Sequence, residues 1–158
     1  MPPSQSLRLL VTARVPVWFD SPADVSQTIA GLPRSRFAYA LTRVPGGWAA
    51  MPSPKGYACQ PDCPGPRGPV YFIADGAATA RRVGETEWLS PASGRGTMWL
   101  ETFPRGTTDV TVAAAAARQV TSSGRQLGSP VRLPTGYNIL QAVGGDLLLQ
   151  PMCRARVR

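Results

Sequence analysis

The feature that most constrains this chain is a unit that recurs along it. Ile29-Ala30-Gly31-Leu32-Pro33 leads into an apolar run at 37–44, then Gly46-Gly47, then a second run at 48–51 ending in Pro52. Val131-Arg132-Leu133-Pro134 leads into Tyr137–Val143, Gly144-Gly145, and a run at 147–150 ending in Pro151. Between them, Trp88-Leu89-Ser90-Pro91 leads into 97–103 and Pro104-Arg105-Gly106. Each run is too short for a stable helix. Each is bounded by residues that break helices, because proline lacks an N–H and glycine loses the most backbone freedom on ordering. With 17 Pro and 16 Gly among 158 residues, such breaks occur throughout, and helix bundles and coiled coils are excluded.

The remaining segments follow the same pattern of short apolar or alternating runs between turns, which predicts an all-β chain of hairpins. Strands are expected at 7–13 and 17–19, at 70–74 with a return at 79–83 after Asp75-Gly76, and at 118–121 and 127–133 around Ser122-Ser123-Gly124-Arg125. In 97–103, alternation places Met98, Leu100 and Thr102 on one face and Trp99, Glu101 and Phe103 on the other. Residues 109–117 are ambiguous. Five consecutive alanines after Asp109 favour helix by propensity, whereas Val110, Val112 and the flanking hairpins favour strand, and the reading is strand or irregular.

The repeat has a blade-like period. Leu32, Leu89 and Leu133 are 57 and 44 residues apart, near the ~40–50 of a four-stranded propeller blade. Such a sheet has two faces to bury, and neighbouring blades bury them by packing face to face around an axis. The expected division is a disordered N-terminus at 1–6, two outer strands at 7–33, full blades at 37–89 and 97–133, two inner strands at 137–150, and a basic tail at 151–158. The Leu-Pro segments would carry the chain from one blade to the next. The series of Leu-Pro, aromatic strand, Gly-Gly and apolar strand at 32–51 and 133–150, together with residues 118–128, resembles TolB-like and WD-repeat-like β-propeller proteins of high-GC bacteria. That resemblance implies a non-enzymatic propeller, exported or membrane-tethered, and it identifies neither the ligand nor any site residue. Closed propellers use about four to eight blades, whereas this length holds about three. A partial propeller is therefore expected, either truncated or of half length and completed by self-association, with Leu9, Val11, Tyr137, Ile139, Leu147 or Leu149 facing water on the open sheets.

The chain has no histidine, which excludes Ser-His-Asp and Cys-His nucleophilic sites and His-based zinc sites. No GxxxxGK[ST] or GxGxxG run offers a phosphate cradle, and neither a cofactor nor a metal site is expected. Cys59 and Cys63 lie four apart in a loop with Pro61, Pro64 and Pro66. They are read either as a local disulfide, which needs an oxidising compartment, or as two unpaired thiols, and Cys153 is left over in both cases.

Seventeen basic against nine acidic residues give a formal charge of +8, nearly all of it arginine scattered singly, which reads as a solvated surface. Lys55-Gly56-Tyr57-Ala58 matches the start of an RNA-recognition strand motif, but Pro61 interrupts the platform and nucleic-acid binding is not expected. No apolar run reaches the ~18 residues of a membrane span, and Arg8 and Arg14 interrupt any signal-like core at the N-terminus. The functional expectation is a binding or scaffold module without catalysis, with Tyr57, Arg81 and Arg82 as candidate partner contacts. The competing expectation is a carbohydrate-active enzyme using carboxylates, for which Glu85, Glu87 and Glu101 are the only glutamates.

Overall fold

A computed structural model describes residues 7–12, 15–19, 29–33, 39–52 and 67–152. Among these residues there are twelve strands, one 3₁₀ turn and no α-helix. The strands are β1 (Leu7–Thr12), β2 (Val15–Phe19), β3 (Tyr39–Val44), β4 (Gly47–Pro52), β5 (Gly68–Ala74), β6 (Ala80–Thr86), β7 (Trp88–Pro91), β8 (Thr97–Thr102), β9 (Ala116–Thr121), β10 (Gln126–Arg132), β11 (Tyr137–Val143) and β12 (Asp146–Pro151). Strands pair antiparallel with their sequence neighbours. They make two four-stranded sheets, β3-β4-β5-β6 and β7-β8-β9-β10, and two hairpins, β1-β2 and β11-β12.

Turn chemistry sets the registers. Val44 pairs with Gly47 across Pro45-Gly46, where the proline ring fixes the first φ and Gly46 takes the positive φ of +86° required second in a type II turn. In the β11–β12 hairpin, where Val143 pairs with Asp146, the positive φ of +59° falls instead on Gly144, the first of the two turn residues, as in a type II′ turn. Across each sheet the period of two sorts side chains into two cores. Val44, Ala49, Val70, Phe72 and Val83 of the first sheet pack against Met98, Leu100 and Val120 of the second. The opposite face of the first sheet, with Trp48, Ala50, Tyr71 and Ile73, packs on Ile29 and Leu32, a segment tied to the start of β6 by an Ala30–Thr79 bridge. The opposite face of the second sheet, with Trp99, Phe103 and Ala117, packs on Ile139, Leu147, Leu149 and Met152 of the third unit. Gly84 allows the two sheets to approach, since a Cβ there would stand 2.5 Å from the Leu100 side chain.

The alanine run forms no helix. Asp109 caps a 3₁₀ turn at Val110–Val112, and the chain then extends into β9, where Ala116 and Ala117 pair with Thr102 and Glu101. Ala115 and Ala117 are fully buried, and their small side chains let the third unit sit close.

Two expectations are corrected. Trp88-Leu89-Ser90-Pro91 is not a link but β7, the first strand of the second sheet, paired from Trp88–Glu101 to Pro91–Met98. Proline is tolerated there because β7 is an edge strand. Ile139 does not face water but is fully buried, and Leu147 and Leu149 are half-buried, because that face of the β11–β12 hairpin packs on the second sheet. Alternation after Ile139 turns Leu140 outward, the register shift that follows it keeps Gln141 on that face, and Leu140, Val143 and Leu148 join Tyr137 in exposure. The side chains of Leu9 and Val11 lie outside the described residues.

Candidate functional site

Polar chemistry concentrates in two places, one inside and one at an end. The interior cluster lies where β7 and β8 meet β11. Glu101 points from β8 into this contact and is fully buried. Its two carboxyl oxygens lie 3.1 and 3.2 Å from the Ile139 N–H, which donates to them. The carbonyl of Ile139 accepts from Ser90 Oγ at 2.9 Å and from Trp88 Nε1 at 3.2 Å. Buried Asn138, with its amide oriented to match its neighbours' hydrogen bonding, accepts from the same indole at 3.1 Å and donates to the Gln150 carbonyl at 3.1 Å. Behind Glu101, the buried Thr86 hydroxyl donates to its carbonyl at 2.9 Å and accepts from its N–H at 2.9 Å. Burial pushes the Glu101 carboxyl up to about 8, against the lowering effect of the Ile139 and Ser90 hydrogen bonds. The carboxyl is therefore neutral at pH 7, and the cluster is a hydrogen-bonded clamp holding β11 to the second sheet.

The end site follows from topology. In an antiparallel meander every second connection falls at the same end, and the short turns at 45–46, 75–79, 92–96, 122–125 and 144–145 all do so. Four of the five are linked by hydrogen bonds. Asp75 N–H donates to the Gly46 carbonyl at 3.0 Å, Gly96 N–H donates to the Pro45 carbonyl, and Ser93 Oγ donates to the Gly144 carbonyl at 3.0 Å. Gly96 abuts Ser122, where a Cβ would stand 3.2 Å from the serine side chain. On this rim Arg43 makes a bidentate ion pair with Asp75, donates to the Gly47 carbonyl at 3.0 Å, and lies 5.3 Å over the Trp48 ring. The hydrogen bond from Arg43, and the charges of Arg43 and Arg95, hold the Asp75 carboxyl below its usual range. Arg95 and Arg125 are exposed on the same rim.

Tyr57, Cys59 and Cys63 lie outside the described residues. Arg81 and Arg82 are exposed on β6, with Arg82 paired to Glu85 at 2.7 Å. Glu87 accepts from the Phe103 N–H and lies 3.4 Å from Arg67, which also donates to the Phe103 carbonyl. Glu85, Glu87 and Glu101 thus each have a structural partner. Sequence reasoning missed Thr86, Ser90 and Asn138, and missed the rim pair Arg43–Asp75. A signal for the cluster was present in Glu101 itself, a carboxyl between apolar residues at an inward position. In comparisons with known proteins, no family model matches the chain, and neither does any curated protein or solved structure.

Proposed function

We propose that this chain is a non-catalytic binding or scaffold module of propeller type, whose rim of turns presents arginines to an acidic partner. The rim of turns carries the reading, because bonds between turns fix the position of Arg95 and bonds to Thr121 within its own turn fix Arg125 on the same surface. A blade-like arrangement is supported by the contacts between first strands: β3 lies against β7, and β7 against β11, as they would around a common axis. The structural engagement of Glu85, Glu87 and Glu101 weighs against the carboxylate enzyme.

The probe is a polyglutamate peptide, with binding followed against salt concentration. Arg95→Glu/Arg125→Glu is expected to weaken binding at least tenfold and to flatten its salt dependence. Arg132→Glu, an exposed site at the opposite end of β10, should leave it within twofold. Equal loss in both variants would mean diffuse charge alone and would overturn the reading.

A further inference from the structure

The arginines of the rim differ in what already holds them. Among the described residues no carboxylate forms an ion pair with Arg95 or Arg125. Arg43 is engaged. Its two terminal nitrogens donate to the two carboxyl oxygens of Asp75, one of them at 2.9 Å, in the fork geometry that a guanidinium offers to any carboxylate. Asp75 is held in place by its own backbone, whose N–H donates to the Gly46 carbonyl at 3.0 Å in the neighbouring turn. Gly46 also brings Arg95 to the same spot. With no side chain there, the Arg95 stem lies over the turn, and a Cβ on Gly46 would stand 2.8 Å from the Arg95 Cγ. The charge of Arg95 acts on the Asp75 carboxyl together with that of Arg43. One carboxylate of the chain itself thus stands between two rim arginines, where a carboxylate of an acidic partner would bind.

We infer that Asp75 is an internal competitor, which masks Arg43 and lowers the affinity of the rim for acidic partners. This masking rests on the rim reading above and adds what limits the affinity of that surface. The contact is open to exchange, because the Arg43 and Asp75 side chains remain 53% and 37% exposed and an incoming carboxylate can reach the guanidinium from solvent. Exposed ion pairs are weak, so the closed pair outweighs the open one by only a few-fold. A ligand that binds only the open fraction then loses about two- to fivefold in apparent affinity. The mask is present wherever the partner is charged, since Asp75 is held below the usual carboxyl range and stays ionised when ordinary glutamates are. Arg43 keeps its aim when Asp75 is displaced. Its bond to the Gly47 carbonyl at 3.0 Å and its place 5.3 Å over the Trp48 ring do not depend on Asp75.

Asp75→Asn removes the competing charge and keeps the backbone bond to Gly46. It is expected to bind the polyglutamate peptide about two- to fivefold more tightly than the wild-type chain at the same salt concentration. Two double variants, both with the wild-type net charge, separate unmasking from added charge. Asp75→Asn/Arg132→Gln, which leaves Arg43 intact and removes an exposed arginine at the opposite end of β10, should keep the gain. Asp75→Asn/Arg43→Gln should lose it. Unchanged or weaker binding by Asp75→Asn, or equal affinity in the two double variants, would overturn the inference, while the losses expected of Arg95→Glu/Arg125→Glu would still stand for the rim. If neither the wild-type chain nor Asp75→Asn binds the peptide, the rim reading fails and the masking with it.

Discussion

Glu101 carries an ordinary carboxyl in a place that favours its neutral form, and the consequence is a pH dependence of opposite sign to that of a paired carboxylate. Its folded value, about 8, lies above the usual carboxyl range. Between about pH 4.5 and 8 the folded chain therefore holds a proton that the unfolded chain has released. The contribution is full below that window, falls as pH rises through it, and is gone above it. A tenfold difference in proton affinity is worth about 1.4 kcal/mol, so the loss amounts to several kcal/mol out of the ~5–15 that hold a domain together. Melting temperature should fall from pH 5 to 8.5, and Glu101→Gln, which keeps an acceptor for the Ile139 N–H without a titrating proton, should flatten that slope. Asp75 acts in the opposite direction, since its pair with Arg43 holds it low and its contribution is lost as pH falls through that lowered value. The pair is largely exposed, and Asp75→Asn should cost about 0–1 kcal/mol, read by denaturant unfolding at pH 7.

At the scale of the elements, glycines divide by what surrounds them. Gly84→Val should destabilise by about 1–3 kcal/mol, because the added carbons meet Leu100 between two packed sheets. Gly145→Ala, with open space around it and no positive φ, should change stability by less than about 0.5 kcal/mol. The same contrast explains what the sequence revealed. Gly46 and Gly144 act within their own turns, so both Gly-Gly hairpins could be read from a few residues. The Val-Tyr-Phe-Ile run of β5 was also legible, because β-branched and aromatic residues suit a half-buried strand. β7 was not, since Trp88 and Ser90 owe their place to Ile139, some fifty residues on, and Pro91 reads locally as a stop. The alanine run resisted reading because pairing with β8 outweighs a small helical preference. The rim was invisible for a further reason: its members come from five separate turns, and only the fold makes them neighbours.

In the whole molecule the interior strands β4, β5, β8 and β9 are each paired on both sides, while β6 and β10 are sheet edges. Amide hydrogen exchange should therefore be slowest in those four strands and faster along β6 and β10. The reverse pattern would contradict the meander order. That order also governs how the fold is reached. Among the described residues every ladder between strands joins sequence neighbours, and an all-β chain built this way should fold faster than sandwiches whose pairings span the whole sequence. The first sheet is complete at Thr86, before any of the second has been synthesised, and can form while the rest of the chain is still on the ribosome. Thr86 then joins the two stages, since its backbone closes the first sheet by pairing with Gly68 and its hydroxyl waits for the Glu101 backbone to arrive.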